Sequence, residues 1–157
     1  MNFDNLNKWL ALLGNFGVIA GIVFLGIEIQ QNTNMMKAQT RDSLTEKNLM
    51  VFSASAESAY AADVLYRGSI GEITPDTMPE WVTFTFQVQG MFRVSENESY
   101  QYDRGLFDEA EYQARKNTWR RNLSRVGFRA VWERYREEYS ESFRDEMDQL
   151  AKELDAN

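Results

Sequence analysis

From Trp9 to Ile29 the chain runs for 21 residues with Asn15 and Glu28 as its strongly polar positions. As a helix rising 1.5 Å per residue, such a run reaches about 30 Å, the thickness of a bilayer's hydrocarbon core. No other stretch is as long without a charge. The pattern therefore predicts a transmembrane helix. From Gln30 to Tyr66 neither Gly nor Pro occurs, and good helix formers are frequent, so the helix is expected to continue to about Met50 or Phe52. Ser53 or Ser55 then caps a second helix through Tyr66, which Gly68 and Gly71 end. The Thr74–Pro79 stretch reads as a loop.

Residues 82–88 fit two periods. Val82, Phe84, Phe86 and Val88 alternate with polar residues as a half-buried strand would, while Trp81, Phe84, Val88, Met91, Phe92 and Ser95 share one helical face. A lone strand would leave its backbone unpaired, so a helix over about 78–103 is preferred, with Thr77 and Glu80 spaced as a capping box. Gly105 closes it and Asp108 caps the next, from about 109 to 126, with Tyr112, Trp119, Leu123 and Val126 buried. Gly127 punctuates again. Phe128, Val131, Trp132 and Tyr135 mark a short helix, and Ser140 opens a last one with Phe143, Met147, Leu150 and Leu154 inward. The predicted fold is all-α: a leader and transmembrane helix over 1–29 continue into a long helix, and 30–157 form a small soluble helical domain.

Processing and orientation follow from the flanks. The leader lacks a clear basic region and no small-x-small cleavage site follows the span, so an uncleaved anchor is expected rather than a signal peptide. Lys37, Arg41 and Lys47 after the span outnumber Lys8 before it, which favours a cytoplasmic domain on the inner membrane.

Within the span, Gly14, Gly17 and Gly21 fall on one stripe, and Glu28 follows seven residues after Gly21. Small residues let a second helix approach closely, so this face is a candidate for homo-oligomerisation. The plain alternative is that glycines are common in membrane helices and that Glu28 reaches the headgroups. Asn15 lies on another face and could bond between helices. Glu28 and Gln31, with Asn15, are the candidate polar lining of an oligomeric pore.

Composition removes chemistries. The chain has no Cys and no His, which excludes disulfides, thiolate nucleophiles, and the common general base and metal ligand. No Gly-rich phosphate motif occurs, no cofactor is implied, and no catalytic residue is assigned. A net charge of −7 argues against a nucleic-acid partner. Residues 115–136 nevertheless hold eight basic residues against one acidic, and 137–155 hold eight acidic against two basic. Adjacent helices complementing each other explain this simply. The sharper reading sets Arg120, Arg121 and Arg125 against anionic lipid headgroups. Glu96, Glu98, Tyr100 and Asp103 read as a solvated face, and the abundant Tyr and Trp as core.

The segment Phe24-Leu-Gly-Ile-Glu-Ile-Gln-Gln-Asn-Thr33, with Met36, Lys37 and Ala38 after it, resembles a juxtamembrane signature of small bacterial membrane proteins, Ile-x-Gln-Asn-Thr. Tyr102-x-x-Gly105-Leu106, Gly127-Phe-Arg-Ala-Val-Trp132 and Ser140-x-x-Phe143 resemble that family's C-terminal half. The resemblance implies helix over 80–103. It transfers no activity, since the family has none established. Gln30 stands where a basic residue is usual there, and Glu28 two positions before it. The expected role is a membrane-anchored, self-associating scaffold or interaction module, with an oligomeric pore as the alternative.

Overall fold

The computed structural model describes residues 3–156, which form six α-helices, a 3-10 turn and no strand. In chain order the helices are α1 (Phe3–Ala56), α2 (Ala59–Ser69), α3 (Glu80–Asp103), α4 (Glu109–Leu123), α5 (Val126–Tyr135) and α6 (Glu141–Asp155), with the 3-10 turn at Arg136–Glu138 between the last two. The chain divides into two units, Met1–Gln39 and Thr40–Asn157. The first is helix alone. The second holds the end of α1 and all the shorter helices.

α1 runs past its expected end because its serines are satisfied on the helix. Ser53 Oγ donates to the Met50 carbonyl (3.0 Å) and Ser55 Oγ to that of Val51 (3.1 Å), so neither is available as a cap. The cap falls instead on Ser58, whose Oγ accepts the Ala61 N–H at 3.0 Å. α3 likewise begins at Glu80 rather than Met78. Thr77 Oγ1 donates to the Thr74 carbonyl (2.7 Å) and accepts the Thr74 N–H (2.9 Å), which closes the loop instead of capping α3. Asp108 caps α4 as expected, accepting the Glu111 N–H at 2.9 Å. Gly105 (φ +70°) ends α3 through its N–H to the Tyr102 carbonyl, while the Leu106 N–H reaches Gln101.

The ambiguous segment is helical, and Phe86 shows why the helical period wins. A strand would turn Phe84, Phe86 and Val88 to one side. In α3, Phe84 and Val88 are buried while Phe86 is 68% exposed. Val126 differs from expectation. It starts α5 instead of ending α4 and is 69% exposed.

The core of the second unit is an unbroken run of aromatic contacts through α3, α5, α6 and α4. Phe84 meets Phe128 (6.0 Å between centroids, 79°), Phe128 meets Phe92, and Phe92 meets Trp132 (5.5 Å, 70°). Trp132 meets Phe143 (5.8 Å, 85°), Phe143 meets Trp119 (5.6 Å, 83°), and Trp119 meets Tyr112 (5.6 Å, 83°). Tyr112 then stacks flat on Tyr102 at 3.8 Å. Edge-to-face geometry sets positive ring edges against negative faces, worth about 0.5–1.5 kcal/mol per pair beyond area burial. Leu44 of α1, Val64 of α2 and Met147 and Leu150 of α6 belong to the same buried core.

Two glycines read as punctuation do other work. Gly68 lies within α2 and Gly127 in the first turn of α5. A Cβ on Gly127 would stand 1.8 Å from the Gly68 carbonyl oxygen, and one on Gly68 would stand 2.2 Å from the Phe84 ring. They let two helix backbones and a phenyl ring share one space. Gly71, at φ +86°, is the residue that turns the chain after α2.

Candidate functional site

The apolar segment of the first unit presents its side chains outward. None of the most apolar window is buried, and Trp9, Phe16, Ile22 and Ile29 are all exposed. Length and composition make α1 the one described helix able to cross a membrane. At about 100° per residue, Gly14, Gly17, Gly21 and Glu28 fall within an arc of about 60°. Gln31 lies beside that arc, whereas Asn15 sits about 100° from Gly14 on another face. A Cβ placed on Gly14, Gly17 or Gly21 would meet nothing within 4 Å. The helix thus carries a shallow, side-chain-free strip edged by large apolar groups, with a carboxylate at one end.

In the second unit, the basic and acidic stretches pair across helices. Lys116 Nζ meets Glu146 at 2.9 Å, Arg120 meets Glu153 at 2.8 Å, and Arg129 meets Asp155 at 2.6 Å. Arg136 pairs with Asp148, which also accepts the Trp132 indole N–H at 3.0 Å. The charge blocks therefore zip α4 and α5 onto α6, as complementing helices should. This divides the three candidate headgroup arginines. Arg120 is engaged by Glu153, while Arg121 and Arg125 are exposed and make no ion pair among the described residues.

Behind those two lies a cavity of about 300 Å³ between α1, α2, α3, α4 and α5. Its floor holds Glu98, which is 3% exposed and so does not belong to a solvated face. Its position follows from α3's own register. Phe84, Val88, Phe92 and Ser95 step along one stripe, and the next step of three or four lands on Glu98 and Ser99. Glu98 Oε1 accepts from Asn48 Nδ2 (3.2 Å) and lies 3.5 Å from Arg115 Nη1, and Oε2 accepts the indole N–H of Trp119 at 3.0 Å. Three donors from α1 and α4 converge on one carboxylate, the condition under which a buried charge is tolerated. Neighbouring Ser99 Oγ donates to Glu146 (3.0 Å), as does the Tyr112 hydroxyl (2.5 Å). Burial first, and then the Glu146 carboxylate, push the Tyr112 phenol well above its ordinary pKa. Tyr112 is therefore a fixed neutral donor.

Glu96, by contrast, points to the start of α6, accepting the Ser140 N–H at 2.7 Å and Arg93 at 2.9 Å. Partial burial works to raise its pKa, but these two donors outweigh it and hold the carboxylate below its usual range. Tyr100 is exposed under the Arg104 guanidinium, 5.0 Å from its ring. Tyr139 is buried, which pushes its phenol up to about 12. Trp81, Trp119 and Trp132 are core, as their helical spacing predicts.

Comparison with family models, curated proteins and solved structures finds no match.

Proposed function

We propose that this is a single-span membrane protein that self-associates through the Gly14, Gly17 and Gly21 strip and presents its helical unit as a scaffold or interaction module. One observation carries the reading: 21 residues of α1 hold their apolar side chains outward, on a strip where a second helix could approach to backbone distance. A surface this apolar is costly in water and natural in lipid. The Ile29-Gln-Gln-Asn-Thr33 resemblance to small bacterial membrane proteins agrees with it. The excess of Lys37, Arg41 and Lys47 over Lys8 supports a helical unit on the cytoplasmic side of the inner membrane. Protease accessibility in inverted against right-side-out vesicles reads that orientation, and digestion only in right-side-out vesicles would reverse it.

The pore reading rests on Glu28, with Gln31 beside it, and Glu28 stands at the end of the apolar run rather than in its middle. A membrane carboxylate there reaches the headgroup region without a channel, so the scaffold is preferred. The test is oligomeric mass in native nanodiscs. The wild-type chain is expected as an oligomer, and Gly17→Leu with Gly21→Leu as a monomer. Gly26→Leu, on a different face at about 140° from Gly21, is expected to leave assembly intact. A monomeric wild type would overturn self-association, and assembly unchanged by Gly17→Leu with Gly21→Leu would overturn this strip as its site.

A further inference from the structure

The cavity above Glu98 is walled by apolar side chains, with Leu65, Met91, Trp119 and Phe128 among them, and edged by Arg121 and Arg125. Fourteen ion pairs join the described residues of the chain, and neither of these arginines is in one. Arg125 sits over the Phe128 ring at 5.5 Å, which fixes its guanidinium at the cavity's edge without neutralising it. Of the three arginines lining the hollow, Arg115 is engaged by carboxylates, and Arg121 and Arg125 are the two left to meet an anion from outside. Glu98, the one acid among the lining residues, faces Asn48, Trp119 and Arg115 and makes no ion pair with Arg121 or Arg125.

We propose that this cavity binds a small single-chain organic anion, its alkyl body against Leu65, Met91 and Phe128 and its carboxylate held by Arg121 and Arg125. The volume stands at the lower end of those that hold small organic ligands, which sets the size to a medium-length chain. Guanidinium groups suit the head because their planar forks match a carboxylate in two parallel hydrogen bonds. A neutral chain would gain the apolar contacts and leave both cations as they are. A cationic chain would face two arginines beside an acid already paired with Arg115. The proposal concerns the second unit and stands whether or not the first crosses a membrane.

Isothermal titration of the full chain with octanoate, 1-octanol and octyltrimethylammonium tests it. The protein is held in phosphatidylcholine nanodiscs, with empty discs subtracted, or in buffer should it prove soluble. Octanoate is expected to saturate at one per chain and to bind more tightly than the other two. Arg121→Gln with Arg125→Gln should weaken octanoate by about tenfold or more and leave octanol unchanged, since a charge-assisted hydrogen bond is lost only for the anion. Both side chains are exposed and free of ion pairs, so this variant keeps its helicity and tryptophan emission, and both are measured alongside. Val94→Trp, which fills the cavity wall, should weaken octanoate and octanol together. Absence of saturable heat above empty discs would overturn the site. Equal affinity for octanol, or an octanoate affinity unmoved by the arginine changes, would overturn the role of the arginines. Preference for octyltrimethylammonium would give the cavity to Glu98 and a cation instead.

Discussion

Gly127→Ala is expected to destabilise the helical unit by about 3 kcal/mol or more, a large share of a small domain's stability. In an ordinary helix position the same change is favourable by about 1 kcal/mol, because alanine loses less entropy and covers more backbone. Here the added methyl would sit 1.8 Å from the Gly68 carbonyl oxygen and 3.0 Å from the tip of the Phe84 ring. A side chain could rotate away, but the Gly68 carbonyl, held in the last turn of α2 by the Gly71 N–H (3.1 Å), cannot, so α2 and α5 must separate. Separation opens the contact between Phe84 and Phe128 and with it the start of the aromatic run. Gly90→Ala supplies the control. Gly90 is inside α3 with nothing within 4 Å of its would-be Cβ, so it should gain up to about 1 kcal/mol. Urea unfolding of both variants, followed by tryptophan emission, gives the comparison. Equal midpoints for Gly127→Ala and wild type would show that the two helices do not touch there.

The second large effect belongs to Glu98. Replacing it with alanine removes the acceptor for the indole N–H of Trp119, a residue that is 1% exposed. It also strips Arg115 and Asn48 of their shared partner. Arg115 keeps Glu111 and Asn48 keeps the Leu44 carbonyl, so the main cost is the unmet indole N–H, about 1–3 kcal/mol. Glu98→Gln keeps the shape and one acceptor oxygen, so it should fall between, with one donor facing another. The expected order of unfolding midpoints is wild type, then Gln, then Ala. Were Glu98→Ala as stable as wild type, the carboxylate would be a solvated surface group, as its sequence neighbourhood first suggests.

That first suggestion shows where the sequence is readable and where it is not. Helical period alone identifies the buried side of α3 from Trp81 to Ser95, and α6's inward Phe143, Met147 and Leu150. The Asp108 cap and the Gly105 stop are local chemistry within a few residues, and they too are legible. Glu98 continues α3's buried stripe by simple spacing, yet an acid is assigned to water unless its partners are known. Those partners come from positions 48, 115 and 119, and only the fold brings them together. Gly68 and Gly127 fail for the same reason. A glycine that ends a helix and a glycine that admits a neighbouring backbone look alike until the neighbour, 59 positions away, is placed. Ser53 and Ser55 fail differently: a hydroxyl that could cap a helix can equally bond back onto its own turn, and here it does. In the candidate site, the glycine strip and Glu28 are visible in the sequence, whereas the cavity is not. Arg121 and Arg125 are recognisable as a pair apart from the core, but that Arg120 is bound to Glu153 is a tertiary fact.

The proposed roles of the glycine strip and of the tethered helical unit depend on the medium around Trp9–Ile29. Cell membranes carrying the full-length chain, washed at alkaline pH and pelleted, decide it. The chain is expected wholly in the pellet and released only by detergent. Recovery of folded protein in the supernatant without detergent would mean that something other than lipid covers those side chains.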